Sequence, residues 1–156
     1  MSQQTVSILD GCAFLVTDQR GDIEASASEP LGFFDFDTRF LSTWVLTLDG
    51  DRPSVLSIEN RQYFEVQHFL VPATGTVYVN ASISVIRRQT IAAGLVERLV
   101  ILNHADQPTA MRVHIALDAD FADLFEVKDV LAKKGERYRR EEAGQLVLGY
   151  RRGQFV

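Results

Sequence analysis

Apolar and polar residues alternate along several stretches of the chain, and this pattern predicts β-strands. The apolar side chains of Val77, Val79, Ala81, Ile83 and Val85 share one face, and polar side chains occupy most of the other. Met111, Val113, Ile115 and Leu117 repeat the pattern further along. Between these stretches, Leu95–Leu102 is apolar except for Glu97 and Arg98, which predicts a central strand covered on both faces.

Turn-forming residues separate the predicted strands. Arg20-Gly21-Asp22 follows the strand predicted around Ala13–Thr17, and Asp49-Gly50-Asp51, which is typical of a tight hairpin, follows Trp44–Leu48. Ala92-Ala93-Gly94 and His104–Pro108 mark two further breaks. Turn signals at this frequency are typical of antiparallel β-structure.

Helical signals are weak. Asp120–Val127 is compatible with one helical turn or an irregular strand, and Val130–Arg140 with a short helix, but neither carries an apolar stripe with caps at both ends. Antiparallel strands with one apolar face need a second layer to cover it. We therefore predict an all-β, antiparallel two-sheet sandwich of the supersandwich type, with at most one or two short helices, as a single domain over residues 1–156.

Composition and charge narrow the classes of partner. The net charge of −5 disfavours nucleic acid, whose phosphates require clustered Lys and Arg. Half of the 16 basic residues lie between Lys128 and Arg152, but four acidic residues are interleaved with them, which favours a solvated, mixed-charge hairpin.

The N-terminal region and the cysteine content point to the cytoplasm. No basic residue precedes Arg20, and no apolar run is long enough for a signal peptide or a membrane helix. Cys12 is the only cysteine, so no intrachain disulfide can form, and its apolar neighbours predict a small buried side chain.

The usual catalytic and cofactor-binding signatures are missing from the sequence. There is no phosphate-binding glycine loop, no HExxH and no G-x-S-x-G. His68, His104 and His114 are scattered, without the spacing of metal ligands. We therefore expect no cofactor and no metal.

Clustered carboxylates are the remaining catalytic candidates, because glycoside hydrolysis uses two of them. Asp120, Asp123 and Glu126 lie within seven residues, but the two groups of a glycosidase flank a sugar ring and usually come from separate segments. The alternative is that these acids cap turns or pair with arginines. Asp120, Asp123 and Glu126 are therefore weaker site candidates than the residues considered next.

Asp37-Thr38-Arg39 is the most distinctive segment, because it places charge among four phenylalanines. A buried Arg39 would need a partner, for which Asp35, Asp37 or a carboxylate of another domain is available. Trp44, in the next strand, is either a core residue or a platform for a sugar ring. Asp37, Arg39 and Trp44 are the candidates for an interdomain or substrate-cleft role.

Several segments, taken in order, carry a resemblance to a known family. The series resembles the N-terminal domain of bacterial and archaeal glycogen-debranching enzymes, the amylo-α-1,6-glucosidase-like proteins, over residues 8–128. The segments that carry it are Asp10-Gly11, Ala13–Asp18, Gly21-Asp22-Ile23, Leu31–Phe34, Asp37–Ser42, Trp44, Leu46–Gly50, Glu97-Arg98, Asn103 and Asp120–Val127. The sequence departs from the family at Glu24–Glu29, which lacks the usual Pro- and Gly-containing lead-in, and at Lys128-Asp129, where Arg-Gly is common.

The resemblance implies a β-sandwich followed in the parent protein by a helical barrel that bears the catalytic carboxylates. On that basis no catalytic residue can be assigned to this chain. The expected role is a non-catalytic accessory domain that packs on the barrel and shapes the cleft for α-glucan. Such a domain in isolation should expose an apolar patch or form a homodimer that covers it.

Two other functions stay open at this point. One is a stand-alone carbohydrate-binding module, with Trp44 or with Tyr63 and Tyr78 as stacking platforms. The other is a small independent enzyme that uses Asp120, Asp123 or Glu126.

Overall fold

The computed structural model describes residues 4–73, 82–129 and 135–153, which form strands and one short helix. All strand pairs are antiparallel. The elements are β1 (Val6–Asp10), β2 (Ala13–Thr17), β3 (Ile23–Glu24), β4 (Gly32–Asp35), β5 (Thr38–Leu41), β6 (Thr43–Leu48), β7 (Ser54–Gln62), β8 (Glu65–Val71), β9 (Ile83–Ile91), β10 (Leu95–Asn103), β11 (Val113–Asp118), α1 (Leu124–Asp129), β12 (Glu136–Glu142) and β13 (Gln145–Arg151).

Two layers of sheet enclose the core. One layer has the strand order β10-β9-β8-β7, and the facing layer consists of the sheets β1-β2-β4-β5 and β11-β6-β3. A first apolar cluster joins Ile8, Leu15 and Ile23 to Val66 and Ile91 of the facing layer. A second cluster joins strand β6 to Leu70, Ile83 and Val85. This architecture confirms the predicted all-β sandwich.

A row of polar side chains separates the two apolar clusters. Along β9 the buried positions run from Val85 of the second cluster through Arg87 and Gln89 to Ile91 of the first. On β8, His68 lies between Val66 and Leu70 in the same way, and Glu97 of β10 completes the row. We define the polar belt as the following five residues, the last of which belongs to the facing layer: His68, Arg87, Gln89, Glu97 and Asp22.

Arg87 is the centre of the polar belt. Its side chain is fully buried, and so is that of Asp22. Nη1 of Arg87 donates to Oδ1 of Asp22 at 2.6 Å, and Nε donates to Oε2 of Glu97 at 2.9 Å. A buried guanidinium needs partners of opposite charge, and the two carboxylates supply them from opposite layers.

The turn that carries Asp22 is held by hydrogen bonds to Asp18 and requires a glycine at residue 21. Oδ1 of Asp18 accepts hydrogen bonds from the backbone N–H groups of Arg20 and Asp22. Gly21 has φ of +84°, and a Cβ at this position would lie 3.0 Å from Cδ2 of His68. Only glycine fits both the positive φ and the close approach. The turn predicted at Arg20-Gly21-Asp22 therefore also inserts a carboxylate into the core.

Further hydrogen bonds join members of the belt to one another and to the facing layer. Oε2 of Glu97 accepts from Nε2 of Gln89 at 2.8 Å and from the indole N–H of Trp44 at 3.0 Å. Nε2 of Gln89 also donates to the carbonyl oxygen of Gly21. Nδ1 of His68 lies 2.8 Å from the carbonyl oxygen of Gln19.

Three expectations about local structure are wrong. Strand β10 is not central but lies at the edge of its sheet among the described strands, with exposed apolar side chains. Residues 136–142 form β12 and not a helix, because each of them pairs with a residue of β13, while residues 130–134 lie outside the described residues. Cys12 is exposed, since it lies in the turn between β1 and β2.

Two other expectations need qualification. Asp49 and Gly50 form a tight turn with φ of +52° and +91°. The turn closes with an antiparallel Leu48–Asp51 bridge, as expected of a tight hairpin turn, but β6 and β7 belong to different sheets, so it carries the chain between layers. Of the strand predicted from Val77, the part through Ala81 lies outside the described residues, and β9 begins at Ile83.

Replacing Glu97 by Gln should destabilise the fold by about 3–5 kcal/mol, because Arg87 would keep a buried charge with one carboxylate fewer. The matched control is Glu65→Gln on the outer face of the same sheet, where Oε1 of Glu65 lies 3.8 Å from Nε of the half-exposed Arg88. That change should cost less than about 1 kcal/mol. Urea unfolding measures both, and equal losses in the two variants would contradict a central role for the belt.

Burial lowers the pKa of the His68 imidazole below its ordinary 6.5, although its hydrogen bond with the Gln19 carbonyl opposes the shift. The unfolded chain therefore binds a proton at a higher pH than the folded chain does. The free energy of unfolding should fall as the pH drops below about 6.5. His68→Gln should flatten this part of the profile between pH 7.5 and 5, and the control His114→Gln, at an exposed position, should not. Identical profiles for wild type and His68→Gln would refute the assignment.

Candidate functional site

The hairpin of β4 and β5 positions the first group of candidate residues. The strands pair antiparallel with a bulge at Phe33 and Phe34, and Phe36 and Asp37 connect them. Phe36 has φ of +50°, and its N–H donates to the carbonyl oxygen of Cys12 at 3.0 Å. The Phe36 side chain is 70% exposed at the end of this hairpin.

The segment after β11 runs beside β5 and brings the second group to the same place. The N–H of Arg39 donates to the carbonyl oxygen of Ala122, and the N–H of Leu124 donates to that of Asp37. Thr38 and Asp123 form an isolated antiparallel bridge. As a result, Asp37 and Arg39 lie at the same end of the molecule as the carboxylates Asp120, Asp123 and Glu126.

Arg39 and Asp120 form the ion pair of this site. Nε of Arg39 lies 3.1 Å from both carboxylate oxygens of Asp120, and Nη2 lies 2.5 Å from Oδ2. Nη1 donates to the carbonyl oxygen of Leu31. Arg39 is buried and has a carboxylate partner, but the expected identity of that partner, Asp35, Asp37 or a carboxylate of another domain, is wrong, because the partner is Asp120. The partner comes from the same domain, 81 residues further along the chain.

Neighbouring residues hold the Arg39 side chain in place. Its guanidinium carbon lies 6.0 Å from the centre of the Phe34 ring, and that ring stacks on Phe14 at 4.6 Å. A Cβ at residue 32 would lie 2.5 Å from Cδ of Arg39, so glycine is required there for Arg39 to pass. Gly32 therefore makes room for the buried Arg39 side chain, and the stacked rings of Phe34 and Phe14 pack beside its guanidinium group.

Asp123 and Glu126 cap the helix α1. The N–H of Glu126 donates to Oδ1 of Asp123 at 2.8 Å, and the N–H of Asp123 donates to Oε2 of Glu126 at 2.9 Å. This reciprocal arrangement is a capping box. Both carboxylates thus have a local capping role, which agrees with the alternative interpretation that these acids cap turns or pair with arginines.

Asp37 differs from the other acids of the site. Its side chain is exposed, and in the part of the chain that the structure describes its carboxylate has no hydrogen-bond partner. Three exposed apolar side chains lie at the same end: Phe36, Leu124, which is 40% exposed, and Phe125, which is 75% exposed. We call Phe36, Leu124 and Phe125 the apolar tip.

Two grooves flank the segment that precedes β4. A polar groove of about 320 Å³ is lined by Ser26, Ser42, Thr43, Arg39, Asp120 and Glu126, among others. A more apolar groove of about 410 Å³ is lined by Phe14, Pro30, Phe34, Leu124, Val127 and Lys128, among others. Ser26, Ala27 and Val127 line both grooves, which are therefore contiguous.

Trp44 lies apart from these residues. It is half-buried, packs against the first apolar cluster and donates its indole N–H to Glu97 in the polar belt. Of the other aromatic candidates, Tyr63 is 66% exposed and makes an edge contact with Phe64, whereas Tyr78 lies outside the described residues.

The polar belt itself is missing from the sequence-based candidates. One signal for it exists: Arg87 and Gln89 occupy positions on β9 that alternate in step with Val85 and Ile91. Polar residues at core positions indicate a buried network, but the sequence does not reveal that Arg87 pairs with Asp22, which lies 65 residues away.

Two further properties concern the described residues alone. Within them no group of three or more His, Cys, Asp or Glu residues is arranged to hold a metal ion. None of their helices has the length and apolar character needed to cross a membrane.

Comparison with known proteins gives the family. The family model for the N-terminal domain of some glycogen debranching enzymes matches residues 8–155, nearly the whole chain. A search of the curated proteins found no match. The match, together with the β-sandwich, confirms the resemblance carried by the Asp37–Ser42 and Asp120–Val127 segments. The chain belongs to the family of N-terminal domains of glycogen debranching enzymes.

Proposed function

We propose that this chain is a non-catalytic accessory domain that packs, through the apolar tip, on the catalytic helical-barrel domain of its parent protein. The observation that carries the proposal is the exposure of Phe36, Leu124 and Phe125 at one end of the domain. Exposed aromatic side chains that cluster on a soluble domain are typical of a surface that another protein surface covers.

The structure behind the tip supports a docking role, because the tip is held rigidly. The Arg39–Asp120 pair ties β5 to the segment before α1, and the capping box fixes the first turn of the helix. A preorganised surface loses little conformational entropy when it binds, which favours affinity. The free carboxylate of Asp37 beside the tip would match a basic side chain of the barrel and set the orientation.

The polar groove beside the tip suggests how the domain shapes the α-glucan cleft. Its hydroxyl and charged groups, among them Ser42, Thr43 and Asp120, are of the kind that hydrogen-bond sugar hydroxyls. When the tip is docked, this groove would lie at the rim of the active-site cleft. The proposal also places the protein in the cytoplasm, where an exposed thiol such as Cys12 stays reduced.

The acidic residues of the site support a non-catalytic role. Both oxygens of Asp120 are engaged by Arg39, and Asp123 and Glu126 are engaged in the capping box. A general acid and a base must be free to exchange protons with substrate or water.

Phe125→Asp should weaken binding of this chain to the separately purified barrel domain of its parent at least about tenfold, because it places a charge where an aromatic anchor is buried. Isothermal titration calorimetry gives the dissociation constant. The matched control is Tyr63→Asp, which changes a similarly exposed aromatic residue in the turn between β7 and β8 and should leave the affinity unchanged. Equal loss in both variants, or wild-type affinity for Phe125→Asp, would contradict the proposed interface.

A stand-alone carbohydrate-binding module is the second candidate, favoured by the exposed ring of Tyr63. The two functions differ in how the isolated chain responds to maltoheptaose. As an accessory domain, it should show no saturable binding by calorimetry up to millimolar sugar. Saturable binding that Tyr63→Ala abolishes and Ser42→Ala preserves would favour the module.

A further inference from the structure

Strand β10 is an exposed edge that has no β-bulge. It spans nine residues and pairs with β9 in one continuous register without a bulge. Among the described strands it has no neighbour on its other side. Four of its apolar side chains are exposed: Val96 (53%), Val100 (39%), Ile101 (41%) and Leu102 (39%). A long, regular, apolar edge presents unpaired backbone N–H and C=O groups to any strand that fits.

The opposite edge of the same sheet provides a contrast. Strand β7 is interrupted by two register shifts, between Val55 and Ser57 and between Asn60 and Gln62. It also carries the exposed charged residues Glu59 and Arg61. Bulges and charges are the common means by which edges are kept from pairing. Within one sheet, therefore, β7 has both bulges and exposed charges, whereas β10 has a continuous register and one exposed charge, Arg98.

We propose that β10 pairs antiparallel with β10 of a second copy of this chain, about a two-fold axis at Val100. The two four-stranded sheets then become one continuous sheet. This contact does not involve the apolar tip and does not depend on the proposed docking to the barrel.

The sequence of β10 is complementary to itself in this register. Val100 faces Val100 of the second copy, and Leu99 faces Ile101, so apolar side chains meet at the axis. Glu97 then faces Asn103, and the aliphatic stem of Arg98 covers Leu102. An axis at Arg98 would bring two like charges together. An axis at Leu99 would place Arg98 opposite Val100, so that Val100 would lose its apolar cross-strand partner.

The facing layer contributes to the same surface. Leu99 of β10 and Ile115 of β11 pack against the same apolar cluster, and β11 is likewise an edge strand among the described elements. Val113 of β11 is 40% exposed. Pairing through β10 would therefore cover the open side of the second cluster in both copies.

The oligomeric state of the chain tests the proposal. Sedimentation equilibrium should show a monomer–dimer equilibrium, and Val100→Lys, which places two ammonium groups at the axis, should raise the dimer dissociation constant at least about tenfold. The control Leu56→Lys makes a similar change on β7, where Leu56 is 43% exposed, and should leave the dimer intact. Phe125→Asp should also leave it intact, which separates this contact from the apolar tip. A wild-type chain that stays monomeric at millimolar concentration, or a dimer that Val100→Lys does not weaken, would overturn the proposal.

A cross-link tests the register even if the lysine variant folds poorly. In a Cys12→Ser background, Val100→Cys should form a disulfide-linked dimer on mild oxidation, because side chains at the axis lie within bonding reach of each other. Val96→Cys in the same background should not, since the register places it far from its own copy. Cross-linking of Val96→Cys but not of Val100→Cys would overturn the proposed axis.

Discussion

The buried guanidinium of Arg87 is the interaction on which the rest of the fold depends. It lies between the carboxylates of Asp22 and Glu97, which come from opposite layers of the sandwich. An unpaired charge in this position would be very unfavourable, whereas apolar side chains slide and repack at small cost. The polar belt therefore admits essentially one alignment of the layers, the one in which the Asp22 turn reaches β9.

A second ion pair fixes the relative position of two segments at the end of the domain. Arg39 and Asp120 join β5 to the segment after β11, 81 residues further along the chain, and this segment leads directly into α1. The apolar tip is thus built on a rigid support and not on a free loop. In both places a charged pair sets the position of a segment, while apolar contacts supply most of the stabilisation.

This division of roles fits an accessory domain. A domain that braces an enzyme needs a stable body, a rigid contact surface and no reactive groups of its own. The acids that the sequence marks as catalytic candidates are held in an ion pair and a capping box, and the most exposed apolar side chains lie beside them. The edge at β10 is a separate surface from the apolar tip.

The sequence by itself determined the fold class and most of the strands, because alternation and turn chemistry are local properties, while the family was indicated by the resemblance of segments such as Asp37–Ser42 and Asp120–Val127. It also placed Asp37, Arg39 and the three acids in two short segments, whose meeting only the tertiary structure decided. A nearly continuous apolar run such as Leu95–Leu102 does not distinguish a central strand from an edge strand, since the two differ in what lies beside them and not in local sequence. For that reason the sequence predicts a central β10, whereas the structure places it at an edge. Likewise, the sequence does not distinguish Arg87 from an ordinary polar residue, because its partner Asp22 lies against it across the core only in the folded protein.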